Sequence, residues 1–211
     1  VSLCRVKIFY GDRARDMLTI DKYGVVVNAR IRLALRPALE HARMVHIHGI
    51  IVHQTDSASV ESTLSQYTKA GSNGAHFLID KDGTIFQTAS VYKRTSHVGL
   101  LKSRCIVEHT CPSTELKSVR SLSLKALSVH ESKKSWPDRY PSNSDALGIE
   151  LVGKFIESKD SYESLTKEQN ESLKWLVAAL AETLNVPLRE VFRHPDVSYK
   201  TVSEAGSAQW K

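Results

Sequence analysis

The sequence lacks the features that mark several common classes of protein. No apolar run approaches the ~18 residues of a membrane-spanning helix, so we expect no membrane insertion. The N-terminal residues VSLCRVKIFYGDRARD contain no continuous apolar segment, so no signal peptide is expected. There is also no HExxH motif, which excludes a zinc hydrolase site carried on a single helix.

Cysteines and clustered basic residues are also scarce. The three cysteines, Cys4, Cys105 and Cys111, form no CxxC pair, which argues against a zinc–thiolate site. Cys105 and Cys111 could form a disulfide in an oxidising compartment or remain free thiols. The net charge of +6 favours an anionic partner such as nucleic acid, anionic lipid or bacterial cell wall. Because the chain has no long Lys/Arg block and little aromatic interleaving, we expect no nucleic-acid binding.

Residues 45–55, with the sequence VHIHGIIVHQT, are the clearest candidate for a buried central strand. Their β-branched residues, beginning with Val45, favour a strand over a helix. His53 stands where the apolar run ends, and the end of a rigid strand is a place to hold a reactive group beside a cleft. His46 and His48 are expected on the opposite face of this strand because strand side chains alternate.

The remaining pattern alternates strands with helices, which predicts an α/β fold with a central mixed β-sheet flanked by helices. Two β-rich runs around Asp82-Gly83 predict a hairpin. The apolar spacing over residues 29–44 is helical, although Pro37 interrupts it. The long polar stretch over residues 100–144 is interpreted as an insert that contains partial helix. Further elements are predicted as a helix over 58–70, a strand over 146–152 and a helix over 166–184 that begins with a capping box.

Four residues near the ends of predicted elements could form a metal site. His53 ends one strand, Glu150 lies in a second, and His194 and Glu204 lie in the C-terminal tail. A catalytic zinc ion typically has three protein ligands from histidine and carboxylate side chains, and a water in the open position. Each histidine taken alone is better explained by a structural hydrogen bond, so the prediction depends on the four residues together.

Five segments of the chain carry a recognisable pattern. They are, in order, IIVHQTDS (50–57), SNGAHFLIDKDGTIFQ (72–87), SHVG (96–99), ALGIELVG (146–153) and RHPDVSYKTVSEAG (193–206). Together they resemble the zinc-dependent N-acetylmuramoyl-L-alanine amidases, whose fold is shared with peptidoglycan recognition proteins. The resemblance implies that His53, His194 and Glu204 are the zinc ligands, with Glu204 at a position where the family commonly has aspartate.

The resemblance also implies roles for residues that do not hold the metal. Glu150 would move protons, and Lys200 or His97 would help to stabilise the oxyanion. Lys200 departs from the family pattern because it lies four residues before Glu204, where the family lysine usually lies two before. His76 and Asn73 are predicted to bind substrate.

The function that the resemblance implies is zinc-dependent cleavage of the bond between N-acetylmuramic acid and L-alanine in bacterial peptidoglycan. The chain is similar to effectors that bacteria secrete through a type VI system, which act in the periplasm of a target cell and travel with an immunity protein. A phage endolysin with the same chemistry, or a module that binds peptidoglycan without cutting it, are the alternatives. We interpret residues 45–211 as the amidase domain and residues 1–44 as an extension packed on it.

Overall fold

The computed structural model describes residues 17–211, and within them no helix is long and apolar enough to cross a membrane. The strands are β1 (Thr19–Ile20), β2 (Val26–Val27), β3 (Ile31–Leu33), β4 (Gly49–Gln54), β5 (Phe77–Ile79), β6 (Ile85–Gln87), β7 (Ala146–Leu151), β8 (Phe155–Ile156), β9 (Ser161–Tyr162) and β10 (Val191–Arg193). The α-helices are α1 (Val60–Gln66), α2 (Arg104–Val107), α3 (Ser113–Val119), α4 (Leu124–Ser132), α5 (Lys167–Thr183) and α6 (His194–Val197).

A six-stranded mixed sheet forms the centre of the fold, in the order β10-β4-β7-β5-β6-β3. Strands β10, β4, β7 and β5 run parallel to one another, and β6 pairs antiparallel with β5 through the predicted hairpin. Strand β3 pairs parallel with β6 at the far edge. The predicted α/β fold with a central mixed sheet and flanking helices is confirmed.

All six residues of strand β4 are buried. Ile50 and Val52 pack into the core cluster that also holds the apolar residues of α5, while Ile51 belongs to a second cluster. Helix α5 begins with the predicted capping box, in which Thr166 and Gln169 satisfy each other's backbone amides. This packing makes β4 a rigid support for the residue at its end, His53.

The residues before β4 differ from the prediction. Residues 45–48 are not in a strand, and Val45 is 82% exposed. His46 and His48 therefore do not lie on the opposite face of β4 from His53. They stack on each other instead, and His48 also stacks on Trp136 with ring centroids 4.5 Å apart. Of the two apolar residues that suggested a longer strand, Val45 is exposed and Ile47 packs at the edge of the main core cluster.

The helical spacing over residues 29–44 does not produce an α-helix. Residues 31–33 form β3, and Pro37–Leu39 form a single 3-10 turn, as expected where a proline restricts the residue before it. Leu18, Val26 and Ile31 are buried in the main core cluster. Residues 1–16 lie outside the described residues, so the division of the chain at residue 44 stays a prediction.

The polar insert contains more regular structure than its composition indicated. Helices α3 and α4 fall close to the expected partial helix, and α2 adds one further turn before them. Cys105 and Cys111 form a disulfide in this insert. The insert returns to the sheet through a buried ion pair between Arg139 and Asp145, whose Nη2 and Oδ2 atoms lie 2.8 Å apart. This pair fixes the chain just before β7.

Candidate active site

Three parallel strands bring the predicted residues together at their carboxyl ends. In the pairing of β4 with β7, His53 lies directly beside Glu150. Strand β10 pairs with β4 on the other side and ends at Arg193, so that His194 follows immediately at the start of α6. Glu204 comes from the loop after α6 and is 5% exposed. The parallel order of the strands therefore gathers residues that are far apart in the chain.

The hydrogen bonds of His97 fix the tautomer of His53. The Nε2 atom of His97 donates to the carbonyl oxygen of Ala146 at 3.2 Å, because a carbonyl can only accept. Burial, with a smaller effect from a charge on His53, lowers the pKa of His97 well below its usual value, so its ring is neutral and Nδ1 accepts. Nε2 of His53 donates to that atom at 3.0 Å. The Nδ1 lone pair of His53 is then free to face the cleft.

His194 is held in the same way by a different carbonyl. Its Nε2 atom donates to the carbonyl oxygen of Val98 at 2.7 Å, which leaves Nδ1 on the opposite side of the ring. That Nδ1 atom lies 2.8 Å from Oε1 of Glu204, and Nδ1 of His53 lies 3.5 Å from the same oxygen. Metal-binding histidines commonly have their second ring nitrogen bonded to a carbonyl or a carboxylate in this manner.

The three side chains together form a donor set that fits a zinc ion. The ligand atoms of His53, His194 and Glu204 all lie within 4.8 Å of one another and are buried. Because Nε2 of each ring is bonded elsewhere, both Nδ1 atoms face the Glu204 carboxylate, and a cation placed between them would be bound by all three side chains. Two imidazoles and one carboxylate are a known ligand set of catalytic zinc, and they leave a coordination position open.

The ionisation of the acidic groups differs across the site. Burial opposes ionisation of Glu204, but its close contacts with the imidazole rings of His194 and His53 outweigh burial and lower the pKa of Glu204 to about 2. Burial, followed by the negative charge of Glu204, raises the pKa of Glu150 to about 8. Burial is also the main cause that lowers the pKa of His53 to about 4. The site therefore pairs one permanently ionised carboxylate with one that exchanges its proton near neutral pH.

These residues lie at one wall of a cleft of about 530 Å³. The cleft is open to solvent, and most of its lining consists of hydroxyl, amide and charged groups. Such a surface suits a substrate that carries many hydrogen-bonding groups. The polar residues of the lining away from the histidines include Thr55, Gln66, Asn73, Asn143, Tyr162 and Lys200.

The sequence was compared with models of known protein families. Residues 43–206 match the family model described as N-acetylmuramoyl-L-alanine amidase. The chain belongs to the N-acetylmuramoyl-L-alanine amidase family. It is accordingly an enzyme that hydrolyses an amide bond of peptidoglycan. Comparison with curated protein sequences gave no match.

Two solved structures share the fold at low sequence identity, and a third is less similar. A selenomethionine derivative of AmpD has a TM-score of 0.57 and 17% identity, over 91% of this chain and 95% of that chain. PlyL has a TM-score of 0.51 and 15% identity, over 81% of this chain and 84% of that chain. The endolysin amidase LysCS from Clostridium intestinale URNW has a TM-score of 0.45 and 19% identity, over 82% and 86% of the two chains.

Of the five residues predicted to act on substrate, all except His76 line the cleft. Asn73 and Lys200 are exposed and line the cleft. His97 lines it too, but both of its ring nitrogens are engaged, so the geometry gives it a positioning role instead of an oxyanion contact. His76 is fully buried and does not line the cleft; it bonds the carbonyl oxygen of Lys93 and the amide of Gly148. The structure therefore lends no support to the substrate-binding role of His76, which stays a prediction.

Two positioning residues were not foreseen from the sequence. The Oε1 atom of Gln54 accepts from the amide of Ala205 at 3.3 Å, which anchors the loop that carries Glu204 to the end of β4. The Oδ1 atom of Asn143 accepts from the backbone amides of His97 and Val98 at 2.9 and 2.8 Å. Both are single amide side chains in polar surroundings, and no spacing pattern distinguishes them from ordinary surface residues.

The substitution His97→Ala tests the positioning role. Loss of its Nδ1 acceptor frees His53 to turn or to change tautomer, so we expect zinc affinity to fall about 10- to 100-fold. The affinity is measured by competition with a chelator. The matched variant is His76→Ala, which removes a buried histidine that lies outside the cleft; it should lower the melting temperature and leave the zinc affinity of the folded protein within about twofold. Unchanged affinity in His97→Ala would contradict the role.

Proposed function

We propose that this amidase is a zinc enzyme and that it cuts the bond between the lactyl group of N-acetylmuramic acid and L-alanine of the stem peptide. One observation carries the proposal. His194, whose Nε2 is bonded to a carbonyl oxygen, and His53, whose Nε2 is bonded to His97, present Nδ1 atoms to one buried carboxylate oxygen, 2.8 and 3.5 Å away. His53, His194 and Glu204 would hold the metal.

Bound zinc would supply a Lewis acid that activates a water and polarises the amide carbonyl. Glu150 lies beside His53 on the neighbouring strand and would take the proton of the attacking water, then deliver it to the leaving amine. Its pKa, raised to about 8 by burial and by Glu204, suits both steps near neutral pH. Lys200 places a positive charge at the open side of the cleft, where it would attract the developing negative charge.

Digestion of purified peptidoglycan tests the bond that is cut. We expect mass spectrometry to find glycan fragments with a free lactyl carboxylate and stem peptides with a free L-alanine amine, each requiring zinc. Products with new reducing sugar ends, or peptides cut within the stem, would contradict the proposed bond. Wall binding without any product would favour the non-catalytic alternative.

We further propose that the enzyme is a secreted antibacterial effector that works in the periplasm of a target cell. Its substrate lies outside the cytoplasmic membrane, and the Cys105–Cys111 disulfide suits an oxidising compartment. An immunity protein that fills the cleft would then protect the producing cell. The phage endolysin alternative has the same chemistry but requires no such partner.

Directed export in a Gram-negative host tests this setting. We expect lysis when a leader sends the chain to the periplasm and none when the chain stays in the cytoplasm. A protein encoded beside the effector should abolish lysis by binding the cleft. Absence of lysis after verified export would contradict a periplasmic role, and lysis that no neighbouring product prevents would favour the endolysin alternative.

A further inference from the structure

The side chain of Asn143 presents a pair of N–H donors to the cleft in a fixed orientation. Its Oδ1 atom accepts from the backbone amides of His97 and Val98 at 2.9 and 2.8 Å. Two N–H donors can bond only to an oxygen, so these contacts determine which end of the amide is Nδ2. Within residues 17–211, Nδ2 has no hydrogen-bond partner, and it is not one of the buried unpaired atoms. Because Asn143 is half-buried and lines the cleft, its donors are open to a bound molecule.

The buried glutamines of the protein use both ends of their amides. Gln54 accepts from a backbone amide through Oε1 and donates to a carbonyl oxygen through Nε2. Gln87 and Gln169 also accept from one backbone amide and donate to backbone carbonyl oxygens. Polar groups with a purely structural role are in general paired within the protein. A structural role therefore accounts for both ends of these glutamines, but only for the oxygen of Asn143.

The turn that carries Asn143 is held by the buried carboxylate of Asp145. Oδ1 of Asp145 accepts from the backbone amide of Ser142 at 2.9 Å and from its hydroxyl at 3.1 Å. The amide of Asp145 donates back to the carbonyl oxygen of Ser142 at 3.1 Å, which closes the turn. Arg139 pairs with the same carboxylate, and His48 lies 3.0 Å from its Oδ2 atom. Asn143 is thus presented by a rigid segment, as a precise binding group requires.

We propose that Asn143 is a substrate-binding residue, whose Nδ2 donates a hydrogen bond to a carbonyl oxygen of a bound muropeptide. A carbonyl oxygen can only accept, and both the stem peptide and the N-acetyl group of such a fragment carry one. Asn143 contacts the backbone of His97 and not the proposed zinc ligands, so this carbonyl lies beside the scissile amide and is not part of it. The inference rests on the proposed function, because it needs that substrate in the cleft.

Asn143→Asp tests the proposal because it changes only one end of the side chain. The carboxylate keeps an oxygen for the two backbone amides, and these donors favour its ionised form. The N–H donors are replaced by an oxygen that repels a carbonyl. We expect KM on a muropeptide to rise about 10- to 100-fold, because the substrate carbonyl loses its donor. The kcat, the zinc content and the melting temperature should stay at the wild-type values, since the bonds to the His97 segment remain.

Asn170→Asp is the matched control. Oδ1 of Asn170 accepts from the backbone amide of Gln209 at 2.8 Å, and Asn170 lies on α5 and does not line the cleft. The same exchange there should leave KM within about twofold of the wild type. High salt separates the lost hydrogen bond from the added charge, because salt screens repulsion but does not restore a donor. The rise in KM of Asn143→Asp should persist at high salt, and its disappearance there would overturn the proposal.

The outcomes separate this inference from the proposed function. If the wild type cleaves the muropeptide and Asn143→Asp keeps its KM, the role of Asn143 is overturned and the proposed function stands. If the wild type cleaves nothing, the proposed function fails; the muropeptide Kd of the two proteins then tests Asn143 alone, and equal values overturn its role. A de-N-acetylated muropeptide identifies the carbonyl: an effect that persists on it assigns the stem peptide, and one that is lost assigns the N-acetyl group.

Discussion

His53→Ala and His194→Ala are each expected to lose bound zinc and wall-hydrolysing activity together. Each variant removes one of three converging ligand atoms, and the remaining pair cannot hold the metal in a buried site with an open position. Activity should fall by more than about 100-fold, since the loss of a residue that merely supports a ligand already costs 10- to 100-fold. Zinc content by elemental analysis and release of muropeptides from purified wall measure the two effects.

A histidine outside the cleft provides the control for these variants. His46 is exposed and stacks on His48 ahead of β4, so His46→Ala removes an imidazole without touching the ligand set. It should keep full zinc content and activity. Retention of activity by either His53→Ala or His194→Ala would refute the ligand assignment. Retention of zinc with loss of activity would instead assign that histidine to the reaction and not to the metal.

Two of the residues proposed to hold zinc, His53 and His194, could be placed together from the sequence, because each stands at the end of a predicted or observed strand. His53 ends an apolar strand and His194 follows a shorter one, and both strands run in the same direction in a mixed sheet. Parallel strands bring their carboxyl ends to one edge, so the two histidines meet whatever the length of chain between them. Glu204 was identified through the resemblance, because the irregular loop that carries it has no periodic pattern.

The supporting residues could not be predicted because their roles depend on side-chain directions. His97 and His76 both precede apolar residues in similar surroundings, yet one supports His53 and the other is buried within the sheet. The position of the His97 ring depends on Gly148, because a Cβ atom at residue 148 would lie 2.9 Å from Nδ1 of His97 and displace the ring.

Glu150→Gln is expected to keep zinc and to lose about 10²- to 10⁴-fold in turnover, the range of a lost general acid–base group. The amide has the shape of the carboxyl group but cannot accept the proton of the attacking water. The substitution breaks no hydrogen bond of Oε2 of Glu150, because this atom has no hydrogen-bond partner within residues 17–211. Loss of the charge that faces Glu204 should not weaken the ligand set either, since the two acids repel each other.

The assignment of Glu150 depends on measuring metal and turnover in the same variant. Glu171→Gln on the solvent side of α5 is the matched control, because Glu171 is 65% exposed and pairs only with Lys167 at 3.6 Å. It should match the wild type in both measurements. Loss of zinc in Glu150→Gln would make Glu150 a ligand and would contradict its assignment to proton transfer. Retained turnover would leave proton transfer to another group, and the raised pKa of Glu150 would then reflect only its burial between two strands.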